Sequence, residues 1–263
     1  MKSEILDENA PSDIQAVARV GQICSLFTEG EVELTAGEVA DRLGLNRTTA
    51  YRYCASLVGA GLLERGSRRG GFVLGALVLQ LGIAALSRRR VVELAPPHLS
   101  RLAGAVHSTA VLSLWGVNGP VVTRVEEDPR RIVVVTVRIG AQLDITAAQT
   151  KTFLAWHPDR FAVERLLGGL GTSARAALDQ ELEEIRRVGI VIVNETDGLI
   201  GAAAPVFDEY GICATVALLG TDKMTDFRPG SDAMDLLREV AAALTRDLGG
   251  HPAEAARAVS RAG

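Results

Sequence analysis

The apolar residues of this chain recur at helical spacing in its first third and at strand spacing later. Over residues 13–94 they repeat every three or four positions, which is typical of amphipathic helices. From Thr109 onward, β-branched and apolar runs alternate with turns and with further helical stretches. This order predicts an α+β protein, with a helical N-terminal part and a C-terminal antiparallel sheet covered by helices.

Two helices are predicted at the start of the chain. The apolar spacing gives the first over 13–27. The second begins at Ala36, because Thr35 and Glu38 have the separation of a capping box, in which each side chain bonds the other residue's backbone N–H. It ends at Gly44, since glycine readily adopts the left-handed conformation that closes a helix.

A third helix and a basic hairpin follow. Asn46 is a favoured N-cap residue, and the apolar pattern after it continues as far as Gly61. A short strand at 62–63, a glycine-punctuated basic loop over 64–71 and a second strand over 72–74 come next. Helix, tight turn, helix and hairpin in this order predict a winged helix-turn-helix.

The outward face of the third helix carries side chains of the types that read DNA. Arginine binds guanine or phosphate, and threonine offers a hydroxyl and a methyl group to base edges. Arg47, Thr48 and Thr49, in the first turn, are the base-reading candidates, whereas Arg52 lies one turn further on, where phosphate is also within reach. The full set of predicted DNA-binding residues is Thr35, Asn46, Arg47, Thr48, Thr49, Tyr51, Arg52, Arg65, Arg68 and Arg69.

Two helices joined by a glycine turn also occur in helical domains that never contact DNA, so the pattern alone leaves both interpretations open. The charge distribution favours DNA. Residues 41–90 contain nine arginines and two acids, whereas the whole chain has a net charge of −4. Basic charge is therefore concentrated on the segment that would face phosphates.

A helical run over 74–94, interrupted by Ser87-Arg88-Arg89-Arg90, is interpreted as a linker helix that connects this motif to the rest of the chain. Pro96 and Pro97 are expected to end it before a further helix over 99–106. The predicted segments are a DNA-binding domain 1–78, a linker helix 79–95, a C-terminal domain 96–251 and a tail 252–263 that is expected to be disordered.

The C-terminal domain begins with strands. Two of them, 109–117 and 121–126, flank Asn118-Gly119, a strong hairpin signal, and a third is expected over 132–137. The other predicted elements are helices over 146–156, 160–167 and 175–188, strands over 190–193 and 202–206, a turn at 208–211, a strand over 212–219 and a helix over 232–248.

The composition argues against export and against a membrane. Cys24, Cys54 and Cys213 are scattered and odd in number, which is typical of reduced thiols. No apolar run approaches the ~18 residues that span a bilayer, and the N-terminus lacks the pattern of a signal peptide. The sequence therefore predicts a cytoplasmic protein that does not bind a membrane.

A small-molecule-converting enzyme with an accessory DNA-binding-like domain is the alternative. The histidines have no metal-ligand spacing with the cysteines, no G-x-S-x-G motif is present, and the glycine-rich stretch 168–173 lacks the lysine of a phosphate loop. We therefore predict no catalytic residue, no metal site and no cofactor. The same scattered residues argue against a metal- or redox-sensing regulator.

Motifs in both halves of the chain resemble one family. The first half contains TAGEVADRLGLNRTTAYRYCASLVGAGLLER and then GGFVLG, which resemble the DNA-binding half of the IclR-type bacterial transcription regulators. The second half contains RIGAQLDITAAQTKTFLAW and VGIVIVNETDGLIGAAAPVFDEYG, which are similar to that family's effector domain. The resemblance implies a GAF-like effector domain and a cytoplasmic homodimer or homotetramer. It also implies binding to a palindromic operator in double-stranded DNA, with repression of a catabolic operon.

The resemblance also implies where a small-molecule effector binds. In the family, an organic acid or aromatic metabolite lies between the sheet and the first turn of a helix, which here would begin near Thr146 and offer free N–H groups. The implied positions are Ala147, Ala148, Gln149, Thr150, Val193, Asn194, Glu195, Gly201, Leu218 and Gly220. Thr150 replaces a usual glycine, and Leu218 and Gly220 replace positions that often carry hydroxyls. Because fewer hydroxyls suit a less polar ligand, we expect a largely apolar or aromatic effector with one polar end.

Overall fold

The computed structural model describes residues 14–27, 31–130, 135–194 and 198–251. The chain forms two compact units, which divide between Leu86 and Ser87. The disorder expected for 252–263 and the effector position Glu195 lie outside the described residues. In the part of the chain that is described, no helix is both long and apolar enough to cross a bilayer.

The N-terminal unit has the architecture that its sequence predicts. Its elements are α1 (Gln15–Cys24), β1 (Leu34–Thr35), α2 (Ala36–Leu43), α3 (Arg47–Gly59), β2 (Leu63–Arg65), β3 (Gly71–Leu74) and α4 (Ala76–Ser87). The strands form an antiparallel sheet in the order β1-β3-β2. The sequence did not predict β1, because two residues are too few to show strand alternation.

The local signals of α2 and α3 act as predicted. Glu38 N–H donates to Thr35 Oγ1 at 3.3 Å, and Thr35 N–H donates to Glu38 Oε2 at 2.6 Å, so the capping box is complete. Gly44 has a left-handed φ of 64° and ends α2. Asn46 Oδ1 accepts a bond from Thr49 N–H at 2.7 Å and caps α3. These bonds set the residues at which α2 and α3 begin.

The core of the N-terminal unit lies between the three helices and the small sheet. Its largest fully buried side chains are Ile23, Leu63 and Phe72. The same cluster contains Ala50, Cys54 and Leu57 of α3, which are buried, with Tyr53 and Val58 packed partly buried against it. The opposite face of α3 therefore points away from the core.

The apolar run over 74–94 forms two helices and not the single linker helix that was predicted, and the break between them falls within the interruption at 87–90. After α4, helix α5 (Arg90–Val106) runs without a break through Pro96 and Pro97, so the break predicted at the prolines is wrong. Ala95 and Leu99, on either side of the pair, are fully buried against the C-terminal core. Tertiary packing holds the helix together here, although each proline removes a backbone N–H.

The C-terminal unit contains a five-stranded antiparallel sheet. Its strands are β4 (Thr109–Gly116), β5 (Gly119–Glu126), β6 (Val191–Asn194), β7 (Ile200–Asp208) and β8 (Gly211–Gly220), in the order β5-β4-β8-β7-β6. The first hairpin turn is Val117-Asn118, one residue earlier than predicted. Gly119, with a φ of 113°, already pairs with Gly116.

The strand predicted over 132–137 does not form in the described part of that range. Residues 135–137 are not in a strand, and 132–134 lie outside the described residues. The outer edge of β5 is taken by a later segment instead: Val122 N–H donates to Ala141 O at 2.9 Å, and Leu143 N–H donates to Pro120 O at 2.9 Å.

Helices cover both faces of this sheet, which confirms the predicted fold class. They are α5, α6 (Ala148–Trp156), α7 (Arg160–Leu167), α8 (Thr172–Val188) and α9 (Asp232–Asp247). One face, called here the α9 face, packs Leu112 and Leu218 against α5 and α9. The other, the α6 face, packs Val111 and Ala217 against α6 and α8. Successive residues of a strand therefore belong to different cores.

Candidate nucleic-acid interface and effector site

The outward face of α3 is accessible to a ligand. Its exposed side chains are those of Arg47, Thr48, Tyr51, Arg52 and Ser56. Thr49 is half-buried. Arg47 and Arg52 form no ion pair or hydrogen bond with any residue that the structure describes. Their guanidinium groups therefore remain available to bases or phosphates.

A groove of about 520 Å³ lies beside α3. It is lined by Thr35, Ala36, Gly37, Glu38, Asp41, Arg47, Tyr51 and Gly70. The fold thus brings three predicted DNA-binding residues, Thr35, Arg47 and Tyr51, to one concave surface. The Thr35 hydroxyl is already engaged, because it donates to Glu38 Oε2 at 2.9 Å and accepts the Glu38 N–H bond.

Arg65 is held by two aromatic rings. Its guanidinium lies 4.7 Å from the centroid of buried Phe72 and 5.5 Å from that of Tyr51. Arg65 Nη2 also donates to the Tyr51 hydroxyl at 3.2 Å. A cation over a ring face is attracted by the ring's quadrupole. Tyr51 and Arg65, both predicted to contact DNA, therefore connect α3 to β2.

Glu33 holds the turn of the wing, which we define as residues 66–71. Its carboxylate accepts bonds from Arg68 N–H at 2.6 Å and from the Ser67 hydroxyl at 2.8 Å. Glycines at 66 and 71 permit this approach, because a Cβ at either position would lie 2.1 Å from Glu33 Oε1. The sequence offers no local signal for this role, since Glu33 lies far from the wing along the chain.

A second carboxylate neutralises one of the wing arginines. Arg68 Nη2 lies 2.8 Å from Glu38 Oε2. Bonds from the Thr35 backbone N–H and then from the Arg68 guanidinium lower the pKa of Glu38 to about 2, so the pair is ionised at neutral pH. Arg69 is exposed and has no partner among the described residues. It is the wing arginine available to phosphate.

The effector positions inferred from the resemblance fall on both faces of the C-terminal sheet. The residues 147–150 are buried at the start of α6. Val193 and Gly201 are paired across β6 and β7, and Val193 packs into the core under α6. This subset lies on the α6 face. The sheet separates it from the remaining described positions.

Leu218, Gly220 and Asn194 lie on the α9 face, which corrects the expectation of a single pocket. Leu218 belongs to the core under α9. A Cβ on Gly220 would meet Ser108 Oγ at 2.6 Å and the ring of Phe227. Because side chains alternate along a strand, an error of one residue in the register of a match moves a position to the opposite face.

Asn194 lines a separate cavity of about 590 Å³ on the α9 face. The other lining residues are Ile192, Ile200, Asp222, Thr225, Asp226, Phe227, Arg228 and Pro229. Arg228 Nη2 lies 2.6 Å from Asp226 Oδ2, and Arg228 lowers the pKa of Asp226 to about 2. Arg228 therefore neutralises Asp226, and Asp222 is the remaining charged residue of the lining.

The start of α6 has no side-chain cap. Its N-cap residue is Ala147, which has no side-chain acceptor. The nearby Asp144 carboxylate accepts bonds from the Thr146 backbone N–H at 2.7 Å and from the Thr146 hydroxyl at 2.5 Å. The first N–H groups of a helix have no intrahelical acceptor. This buried helix start is therefore suited to an electron-rich group from a ligand.

The residues that the structure describes form no candidate metal site and no cluster of cysteines. Within them, no group of three or more His, Cys, Asp or Glu side chains is placed to hold a metal ion. Cys24, Cys54 and Cys213 are free thiols. Burial raises the pKa of Cys213 to about 12, so this thiol stays protonated at neutral pH.

Two family models together match most of the chain. Residues 16–67 match the IclR helix-turn-helix domain, and residues 83–246 match the C-terminal domain of IclR bacterial transcriptional regulators. The glycerol operon regulatory protein of Streptomyces griseus is 27% identical over 257 residues, which cover 90% of this chain and 97% of that protein.

Solved structures share the fold. An IclR family transcriptional regulator from Brucella abortus has a TM-score of 0.74 at 21% identity and covers 94% of this chain and 97% of its own. An IclR homologue from Microbacterium hydrocarbonoxydans, in complex with 4-hydroxybenzoate, has a TM-score of 0.68 at 23% identity, with coverages of 89% and 99%. The family models match in the order that the motifs predict, and this chain belongs to the IclR family of DNA-binding transcription regulators.

Proposed function

We propose that this regulator binds a palindromic operator as a homodimer, or as a tetramer of two such dimers, and represses a catabolic operon until a small organic effector binds its C-terminal unit. The observation that carries the DNA-binding part is the exposed face of α3. Arg47 and Arg52 lie there without an internal partner in the described chain, and Arg69 adds a cation on the wing.

Helix α4 supplies a surface for the homodimer. None of its residues is buried. Leu79, Ile83 and Leu86 recur along one face and are 65%, 60% and 44% exposed. Apolar surface of this kind is unfavourable in water, and a second copy covers it by helix-to-helix packing. Two copies then present two α3 helices to half-sites separated by about 34 Å, one turn of DNA, or by a multiple of that distance.

The effector is an organic acid or aromatic metabolite in this proposal. The uncapped, buried start of α6 supports an electron-rich ligand group. The Microbacterium relative bound to 4-hydroxybenzoate supports an aromatic one, and the name of the Streptomyces relative supports control of a catabolic operon. An effector that prefers one dimer arrangement by about 1–3 kcal/mol is sufficient to change operator affinity 5- to 150-fold, roughly.

Fluorescence anisotropy with the intergenic DNA beside the gene tests this function. We expect salt-sensitive binding that is tighter than binding to random duplex of equal length, and release by 4-hydroxybenzoate. Equal affinity for both duplexes would contradict sequence-specific regulation. Deletion of the gene should raise transcription of the adjacent operon, and a fall would show activation instead.

A further inference from the structure

Three buried hydroxyl groups of the C-terminal unit have no hydrogen-bond partner. Among the described residues, the buried side-chain oxygens and nitrogens in this condition are Ser113 Oγ, Thr150 Oγ1 and Thr215 Oγ1. All three residues are fully buried. Because a hydroxyl gives up its water on burial, folded proteins nearly always provide it with a partner. A set of three without one indicates that a polar group from outside the chain completes it.

Ser113 and Thr215 lie side by side on the α6 face. They are opposed to each other in the antiparallel pair of β4 and β8. Ala217, two positions from Thr215, packs into the core under α6, so the two hydroxyls face the same way. Their neighbours in the same row of the sheet are Val122 on β5 and Pro205 on β7, whose side chains offer no acceptor.

Thr150 belongs to the helix that covers this row. Phe153, one turn after Thr150 in α6, packs edge-on against Trp115 with ring centroids 5.5 Å apart. Trp115 lies two residues from Ser113 on β4. The neighbouring buried Thr152 donates to a backbone carbonyl of its own helix at 2.8 Å. The unpaired state is therefore particular to Thr150 and not general to threonines of α6.

The geometry points to a polar end of the effector site in which Ser113, Thr150 and Thr215 donate hydrogen bonds to the carboxylate of a small aromatic acid. The uncapped start of α6 adds backbone N–H groups to this end. Trp115 and Phe153 supply aromatic surface for the ring. This inference rests on the proposed function. It replaces the expectation that the pocket has lost its hydroxyls, because the positions counted as losses, 218 and 220, lie on the opposite face.

Calorimetric titration of the full-length protein with benzoate and with benzamide, its neutral analogue, tests the inference. We expect benzoate to bind about tenfold more tightly than benzamide, because hydrogen bonds from three hydroxyls favour the charged acceptor. Ser113→Ala and Thr215→Val should each weaken benzoate binding by about tenfold. Each should also leave the Tm of the free protein unchanged or raised, because each removes a hydroxyl that has no partner in the free protein.

Thr152→Val is the matched control. This variant removes a buried hydroxyl of α6 that is already paired, so it should lower Tm and leave benzoate affinity unchanged. Lower Tm with intact benzoate binding in both Ser113→Ala and Thr215→Val would assign the hydroxyls a structural role and overturn the inference. A wild-type protein that does not prefer benzoate to benzamide would overturn it as well.

Operator binding separates this inference from the proposed function. Specific operator binding by a wild-type protein that ignores benzoate would overturn the effector assignment alone. Equal binding of the wild-type protein to operator and to random duplex would overturn the proposed function itself. Ser113→Ala and Thr215→Val should retain operator affinity and lose the response to benzoate.

Discussion

The Arg68 guanidinium lies 2.8 Å from the Glu38 carboxylate, and both groups belong to the N-terminal unit. Arg68 therefore has its counterion within the protein, whereas Arg69 has none among the described residues. The sequence predicts DNA contacts for both of these arginines. The structure predicts unequal ones, because a phosphate must compete with Glu38 for Arg68.

We expect Arg69→Ala to weaken binding to all duplexes alike. The slope of the logarithm of the binding constant against the logarithm of salt concentration should fall by about one per protomer. Arg68→Ala should change the salt dependence less. Dissociation constants measured at several salt concentrations, on operator and on random duplex, check this prediction. Equal changes of slope for the two variants would show that Arg68 leaves Glu38 to bind phosphate.

The wing should loosen in Gly71→Ala without unfolding of the protein. The new Cβ would lie 2.1 Å from Glu33 Oε1, so the flexible Glu33 side chain must move away and lose its bonds to Arg68 N–H and the Ser67 hydroxyl. We expect a several-fold loss of affinity for all DNA, with a stability change of about 1 kcal/mol for the exposed bonds. Gly59→Ala is the control. Nothing lies within 4 Å of its Cβ, and alanine favours the helix. Faster hydrogen exchange at Arg68 N–H in Gly71→Ala alone would identify the wing as the affected segment.

Arg47→Ala should reduce both the discrimination between DNA sequences and the affinity for the operator. Arg47 begins α3, is exposed and has no internal partner in the described chain, so it can enter the major groove with the first turn of the helix. Loss of a bidentate base contact costs about 1–3 kcal/mol at one position of the site. Competition with single-base operator variants measures this loss of discrimination. Equal losses on operator and random duplex would place Arg47 on the phosphate backbone.

Sequence signals of short range predict much of this fold. The Thr35–Glu38 pair and Asn46 set the starts of α2 and α3, and the structure shows their bonds directly. The hairpin of β4 and β5 also follows from two apolar runs on either side of the Asn118-Gly119 signal. In each case the residues that decide the structure lie within a few positions of one another.

Features that depend on distant contacts are missed or misplaced. Burial of Ala95 and Leu99 carries α5 through two prolines. The role of Glu33 depends on a wing that lies more than thirty residues later. Ser113 and Thr215 did carry a signal, since each is a polar residue at an inward position of an apolar strand. Their shared face becomes evident only from the strand register.

A double variant, Leu79→Glu with Ile83→Glu, should dissociate the proposed dimer. These residues share one face of α4, and placing four carboxylates at a small interface combines like charges with lost apolar burial. Sedimentation velocity should detect smaller particles, and operator affinity should fall because two half-sites are no longer bound together. Leu81→Glu is the control. This residue is 56% exposed on the opposite side of α4, and its substitution should leave the assembly intact.

Asp128 should stabilise the C-terminal unit in a pH-dependent manner. This carboxylate is buried, and it accepts bonds from Arg130 Nε at 2.8 Å and from the His107 ring at 2.5 Å. Arg130 and then His107 hold the pKa of Asp128 below its ordinary value of 3.8. A pKa lowered by folding stabilises the native state above the unfolded value, and this contribution is lost as the pH falls through the folded value. Asp128→Asn should therefore unfold at lower urea concentration than the wild type at pH 7, and the difference should narrow only below about pH 4, near the unfolded pKa.

Asp226→Asn is the control, because Asp226 pairs with Arg228 on the surface, where an ion pair contributes little. A difference between Asp128→Asn and wild type that stays constant into acid would show that the side chain stabilises the unit by packing and not by its charge.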